Sequence, residues 1–158
     1  PVNVDLPGEA WLPRDYIPDY RAKIDVYRRL SRATATRQVD DLGAELADRF
    51  GPLSAEARRL LDFARLRCRA IDLGIDSITR HPGMIMFGHH DRGKIEGLRK
   101  RAQKTGKTLR IVDQKTAVMP LDPPTLADPD KVLAAVRSLL GNEPQPRKNT
   151  PVPSEIRP

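Results

Sequence analysis

The chain has 158 residues, enough for one domain or one domain with tails. Hydrophobic residues make up 39%, a modest core, and the 4% aromatic share argues against a ring-stacking platform for single-stranded nucleic acid. The net charge of +7 is uneven: residues 1–50 hold 8 basic and 9 acidic side chains, residues 51–110 hold 14 and 6, and the remainder 6 of each. The excess therefore sits mid-chain, where it either faces phosphate or forms a solvated arginine-rich surface. A single cysteine, Cys68, rules out an internal disulfide framework and a multi-cysteine metal site. Among apolar helical neighbours it reads as a buried thiol. No run approaches the roughly 18 apolar residues of a membrane span, and no amino-terminal signal pattern is present, so the expected compartment is the cytoplasm. The first residue is Pro1 and not Met, which reads as a piece of something longer or as a trimmed start.

Residues 2–12 read as an extended segment, with Val2, Val4 and Leu6 alternating with polar residues before Pro7, Gly8 and Pro13 interrupt. Asp19 is placed to cap a helix running to about Ala33. Ile17, Tyr20, Ile24, Tyr27 and Leu30 recur at spacings of three and four, which predicts one inward face. A second helix is predicted from Thr36, with Val39, Leu42, Leu46 and Phe50 inward and Gly51-Pro52 as its stop. Ser54 caps a third, whose buried side is predicted to carry Ala57, Leu60, Leu61, Ala64, Cys68 and Ile71 up to Gly74. Arg58, Arg65 and Arg69 share another face of that helix and make a basic ridge.

After Gly74 the period changes. Residues 75–79 and 84–88 are predicted as strands joined by the turn signal His81-Pro82-Gly83. Asp91 caps a basic helix to about Lys104, with Ile95, Leu98 and Ala102 inward. Gly106 turns the chain into strands over 109–112 and 116–119. Asp128-Pro129 starts a last helix burying Val132, Ala135, Val136 and Leu139. The pattern predicts an α+β fold: an N-terminal three-helix segment, then a small antiparallel sheet with two further helices, forming one domain over residues 1–141. Residues 142–158 contain five prolines and little that is apolar, and read as a disordered tail.

Motifs for catalysis fail on inspection. Thr105-Gly106-Lys107-Thr108 mimics the end of a phosphate-binding loop, but Arg101 stands where another glycine is required five residues before Gly106, and the helix-then-strand order is the reverse of the one needed. His89 and His90 are adjacent and so point apart, and only His81 remains to join them, which leaves no metal site to expect. No nucleophile and base pair up. Neither an enzyme activity nor a cofactor is expected. More informative is the outer side of the second helix. Asp41, Glu45 and Asp48 follow one another at spacings of four and three, opposite the apolar row. One reading is a solvated face, with Glu45 paired to Arg49 for a few tenths of a kcal/mol. The other is a docking face for arginines of a partner.

Several boxes carry a resemblance. Leu12-Pro13-Arg14-Asp15-Tyr16-Ile17-Pro18-Asp19, Tyr27-Arg28-Arg29-Leu30, Glu45-Leu46-Ala47-Asp48-Arg49-Phe50-Gly51-Pro52-Leu53, Leu60-Leu61-Asp62-Phe63-Ala64-Arg65-Leu66-Arg67 and Leu73-Gly74-Ile75 occur in that order. Together they resemble the carboxy-terminal domain of the bacterial transcription-repair coupling factors (Mfd). The resemblance covers residues 12–75; the order of elements beyond is compatible and the tail has no counterpart. It implies a non-catalytic regulatory module of an ATP-driven double-stranded-DNA translocase that displaces stalled RNA polymerase and recruits the excision-repair protein UvrA. In that family the module packs on an amino-terminal UvrB-like module of the same protein, covers the UvrA-binding surface and restrains the ATPase. The implied contact acids align with Glu45 and Asp48, with Arg49 in the same box, and Asp41 extends the row. The rival reading is a nucleic-acid-binding module using Arg58, Arg65, Arg69, Lys94, Lys100, Lys104 and Lys107. A third is an adaptor that shares only the fold.

Overall fold

The computed structural model describes residues 1–142. The tail expected to be disordered lies, from residue 143 on, outside the described residues. In chain order the elements are β1 (Asn3–Asp5), α1 (Tyr20–Arg32), α2 (Thr36–Phe50), α3 (Ala55–Asp72), β2 (Ile75–His81), β3 (Met84–His89), α4 (Arg92–Lys104), β4 (Arg110–Ile111), β5 (Thr116–Pro120), α5 (Pro123–Leu126) and α6 (Pro129–Leu140). The fold is α+β.

Local chemistry accounts for the helix starts. The side chains of Asp19, Ser54, Asp91, Asp122 and Asp128 each accept from a backbone N–H of the following turn, removing orphan donors at about 1 kcal/mol per cap. At α2 the cap position is Ala35, and Gln38 substitutes by reaching back to accept from the N–H groups of Thr34 and Ala35 at 2.8 and 3.1 Å. Gly74 ends the α3 segment at φ +67°, and an added Cβ there would stand 2.6 Å from Asp91 Cβ. This position therefore needs glycine twice over, for its dihedral and for its space.

The sheet runs β1-β2-β3-β5-β4. The β2–β3 and β4–β5 hairpins are antiparallel as expected, and β3 pairs β5 with Met84 opposite Pro120. The expectation of a wholly antiparallel sheet needs correction: β1 lies parallel to β2, Val4 opposite Ile78, so the sheet is mixed. The alternating residues 2–6 reach that edge only because α1, α2 and α3 form the long crossover that a parallel pair requires.

Two apolar clusters share α3. Ala57, Leu61, Ala64 and Cys68 pack with Leu12, Ile17, Val26, Leu30, Val39, Leu42 and Leu46 among the first three helices. Phe63, Leu66 and Ala70 pack instead with the sheet, around Ile78, Ile85 and Phe87, and with α4 and α6. The single buried face predicted for α3 is thus two faces, because the helix is sandwiched between layers. Leu60 is half-buried, and Ile71 is 44% exposed. The face predicted for α1 is also rotated. Ala22, Val26 and Leu30 are buried, whereas Tyr20, Ile24 and Tyr27 are 74%, 39% and 41% exposed. Both rows fit helical spacing, and docking selected the one with smaller side chains.

Candidate docking site

Helix α2 is held tightly before it presents anything. Val39, Leu42 and Leu46 are fully buried. Gly43 lets α2 approach α3 closely, since an added Cβ would sit 3.2 Å from Leu61 Cδ1. At its C-terminal end Phe50 meets Tyr16 edge-on, ring centroids 6.1 Å apart, and the Arg49 guanidinium lies 4.9 Å over the Phe50 ring. The Tyr16 hydroxyl donates to Gly51 O at 3.0 Å, and burial raises the pKa of that phenol. These contacts fix the C-terminal end of α2 against the segment that precedes α1.

The opposite side of α2 carries the acids. Asp41 and Asp48 are exposed and make no ion pair among the described residues. Glu45, between them, is half-buried and accepts from Arg29 Nη1 of α1, whose guanidinium also lies 3.8 Å from Asp25. The Glu45–Arg49 pair of the solvated-face reading is therefore replaced by a contact between helices. Arg49, exposed, uses its charge on the Phe50 ring. On the flank of the same helix, Asp40 accepts from Arg65 Nε at 2.7 Å. The row Asp41, Glu45, Asp48 thus presents two unneutralised carboxylates and one that is shared.

The basic residues fare differently. Arg69, 9% exposed, donates to Leu140 O at 2.9 Å and Gly141 O at 3.1 Å, and lies 3.3 Å from Asp72. It serves as a C-terminal cap for α6, where orphan carbonyls and the helix dipole both favour a cation. Arg65 bridges Asp40 and Asp62, and Asp62 also accepts Arg137 at 2.9 Å. Of the three ridge arginines only Arg58 is exposed with no ion pair among the described residues. It lies eleven residues, roughly 16 Å, along the helix from Arg69. Lys94, Lys100 and Lys104 are exposed on α4, and Lys107 reaches Ser138 O at 3.4 Å. The structure therefore does not bring the seven together as one basic surface.

The remaining motifs fall into place as structure. Thr105 and Gly106 close α4, with Gly106 at φ +75° and the Lys107 N–H donating to Ala102 O. His90 Nδ1 lies 2.6 Å from Asp76, and His81 Nε2 lies 2.9 Å from Thr79 Oγ1. His89 is buried with neither ring nitrogen hydrogen-bonded among the described residues, where no metal-ligand cluster converges. Arg29 and Tyr16, which hold the acidic row and its helix in place, stood inside the resemblance boxes. Their partners, sixteen and thirty-five residues away, leave no local signal.

Comparison with known proteins gives the family. The model of the TRCF domain matches residues 6–99. The transcription-repair-coupling factor of Staphylococcus aureus (strain USA300) is 34% identical over 122 residues, covering 74% of this chain and 10% of that protein. Its namesake in Mycobacterium bovis is 45% identical over 78 residues, 49% of this chain and 6% of that protein. The chain thus spans a tenth or less of the length of these curated relatives. The crystal structure of a C-terminal domain of transcription-repair coupling factor superposes with a TM-score of 0.71 at 18% identity, covering 88% of either chain, which is a likeness of fold. With more than half of its residues matched, the chain belongs to the TRCF domain family.

Proposed function

We propose that this chain is a non-catalytic regulatory module of a transcription-repair coupling factor, working in the cytoplasm by reversible docking onto the amino-terminal UvrB-like module of the same protein. Docked, it covers the UvrA-binding surface and restrains the DNA-dependent ATPase; released by engagement with RNA polymerase on DNA, it exposes that surface. The observation that carries the reading is the outward acidic row, Asp41, Glu45 and Asp48, on a helix whose other side is packed shut. It meets arginines of the partner module. Exposed ion pairs are individually worth about 0.2–1 kcal/mol, so such a row sets register and orientation and lets go easily. Glu45 is the natural hinge of the exchange, because its present partner, Arg29, is half-exposed and replaceable. The module itself needs no cofactor and contacts DNA only through the parent protein. The nucleic-acid reading is less favoured, since Arg65 and Arg69 are committed to internal carboxylates and carbonyls.

The test is Glu45→Arg with Asp48→Arg in the intact protein. Basal ATPase and UvrA affinity should each rise about tenfold, the worth of roughly 1.4 kcal/mol of lost clamp. Values equal to the unaltered protein would remove these acids from the docking contact.

A further inference from the structure

Helix α1 bears a second surface that the acidic row does not use. Tyr20, Ile24 and Tyr27, at spacings of four and three, form an apolar stripe left open to solvent. It runs into a groove of about 590 Å³ between α1 and α3, walled by Leu30, Leu60, Ile71 and Val2 and holding Arg67. Ile71, on the far wall, is 44% exposed. An apolar band of this length, rimmed by polar residues, marks a contact site more often than bare surface.

Charge defines what covers it. Arg67 is half-buried in the groove and makes no ion pair or hydrogen bond among the described residues. Burial lowers its pKa, with the neighbouring Cys68 as a smaller opposing influence. Along the other flank of the stripe run Arg21, Arg28 and Arg32, all exposed and without ion pairs among the described residues. The surface is thus apolar along its middle and cationic on both sides. From these charges we infer that the groove between α1 and α3 receives an amphipathic helix of a partner protein, with an aliphatic ridge flanked on both sides by carboxylates. A helix suits the site because the stripe and groove follow the α1 axis, as in helix-in-groove recognition. A phosphate backbone would find its charges but leave the aliphatic centre uncovered. Arg29, which holds Glu45, lies roughly opposite the stripe on α1 at about 100° per residue, so both faces can be occupied at once.

The experiment titrates the 15N-labelled chain with a synthetic amphipathic helix whose leucine ridge is flanked by glutamates. Parallel samples receive the same peptide with lysines for glutamates, a single-stranded oligonucleotide, and phosphatidylserine vesicles. The expected result is shifts confined to α1, the start of β1 and the outer side of α3. Affinity should fall about tenfold in Arg67→Gln and in Tyr20→Glu, a 74%-exposed position whose change leaves the fold intact. The lysine peptide should not bind. Absence of shifts with the acidic peptide at millimolar concentration, equal binding of the lysine peptide, indifference to Arg67→Gln, or response of these residues only to the oligonucleotide or vesicles would overturn the proposal.

Discussion

At the scale of single residues, charged side chains in this domain divide into those that hold it together and those that face outward. Arg69 belongs to the first group: it closes the end of α6 from the middle of α3. Replacing it with Met should lower unfolding free energy by about 2–3 kcal/mol, because charge-assisted bonds are lost and carbonyls left unpaired. Arg58→Gln, on the same ridge but exposed, should change it by less than about 0.5 kcal/mol. Urea denaturation of the two variants reads the difference. Gly74→Ala should cost about 2–4 kcal/mol by the same measurement, from the left-handed dihedral plus the clash with Asp91. Acid should destabilise the domain in a defined window. Asp113 is held below the ordinary 3.8 by the Lys115 N–H, and Asp122 by the Thr125 side chain and then its N–H. Carboxylates with depressed folded pKa contribute stability that is complete above the unfolded value and disappears as pH falls through the folded one. Stability should therefore drop as pH goes from about 5 toward 3, and Asp113→Asn with Asp122→Asn should flatten that limb.

At the scale of elements, helix caps and stops were readable because their chemistry is local. Asp19, Ser54, Asp91 and Asp128 each sit within three residues of the N–H they satisfy. Faces were less readable. On α1 two apolar rows satisfy the same periodicity, and only packing in the cluster shared with α2 and α3 decides that Val26 goes in and Ile24 stays out. On α3 a helix between two layers buries two faces, which a one-sided pattern cannot represent. The acidic row of α2 could be drawn from spacing alone, yet the pairing of Glu45 with Arg29 could not, since it depends on how α1 crosses α2. Charge patterns give the side of a helix; which charges are already neutralised is a tertiary property.

At the scale of the molecule, the short β1 strand ties the start of the chain to the sheet and makes the helical layer a crossover. Arg59 reinforces the join by bonding Glu9 O and Asp130 at 3.0 and 2.9 Å. These joins tie the sheet, the helical layer and α6 into one packed unit, which the proposed clamp requires. A docking contact with an intrinsic Kd of about 0.1 mM, at an effective concentration of about 1–10 mM, stays closed roughly 90–99% of the time. The exposed ion pairs, at up to about 1 kcal/mol each, supply only part of the roughly 5.5 kcal/mol this needs, and a competing contact of modest differential affinity opens it.

The most direct measurement of that contact is a titration of the 15N-labelled chain with the separately produced UvrB-like module, at low and high salt. Amide shifts should centre on Asp41, Glu45 and Asp48, weaken as salt rises, and require severalfold more of the partner module to saturate in Asp48→Arg. Shifts that ignore salt and this substitution, or that leave α2 untouched, would contradict the docking role.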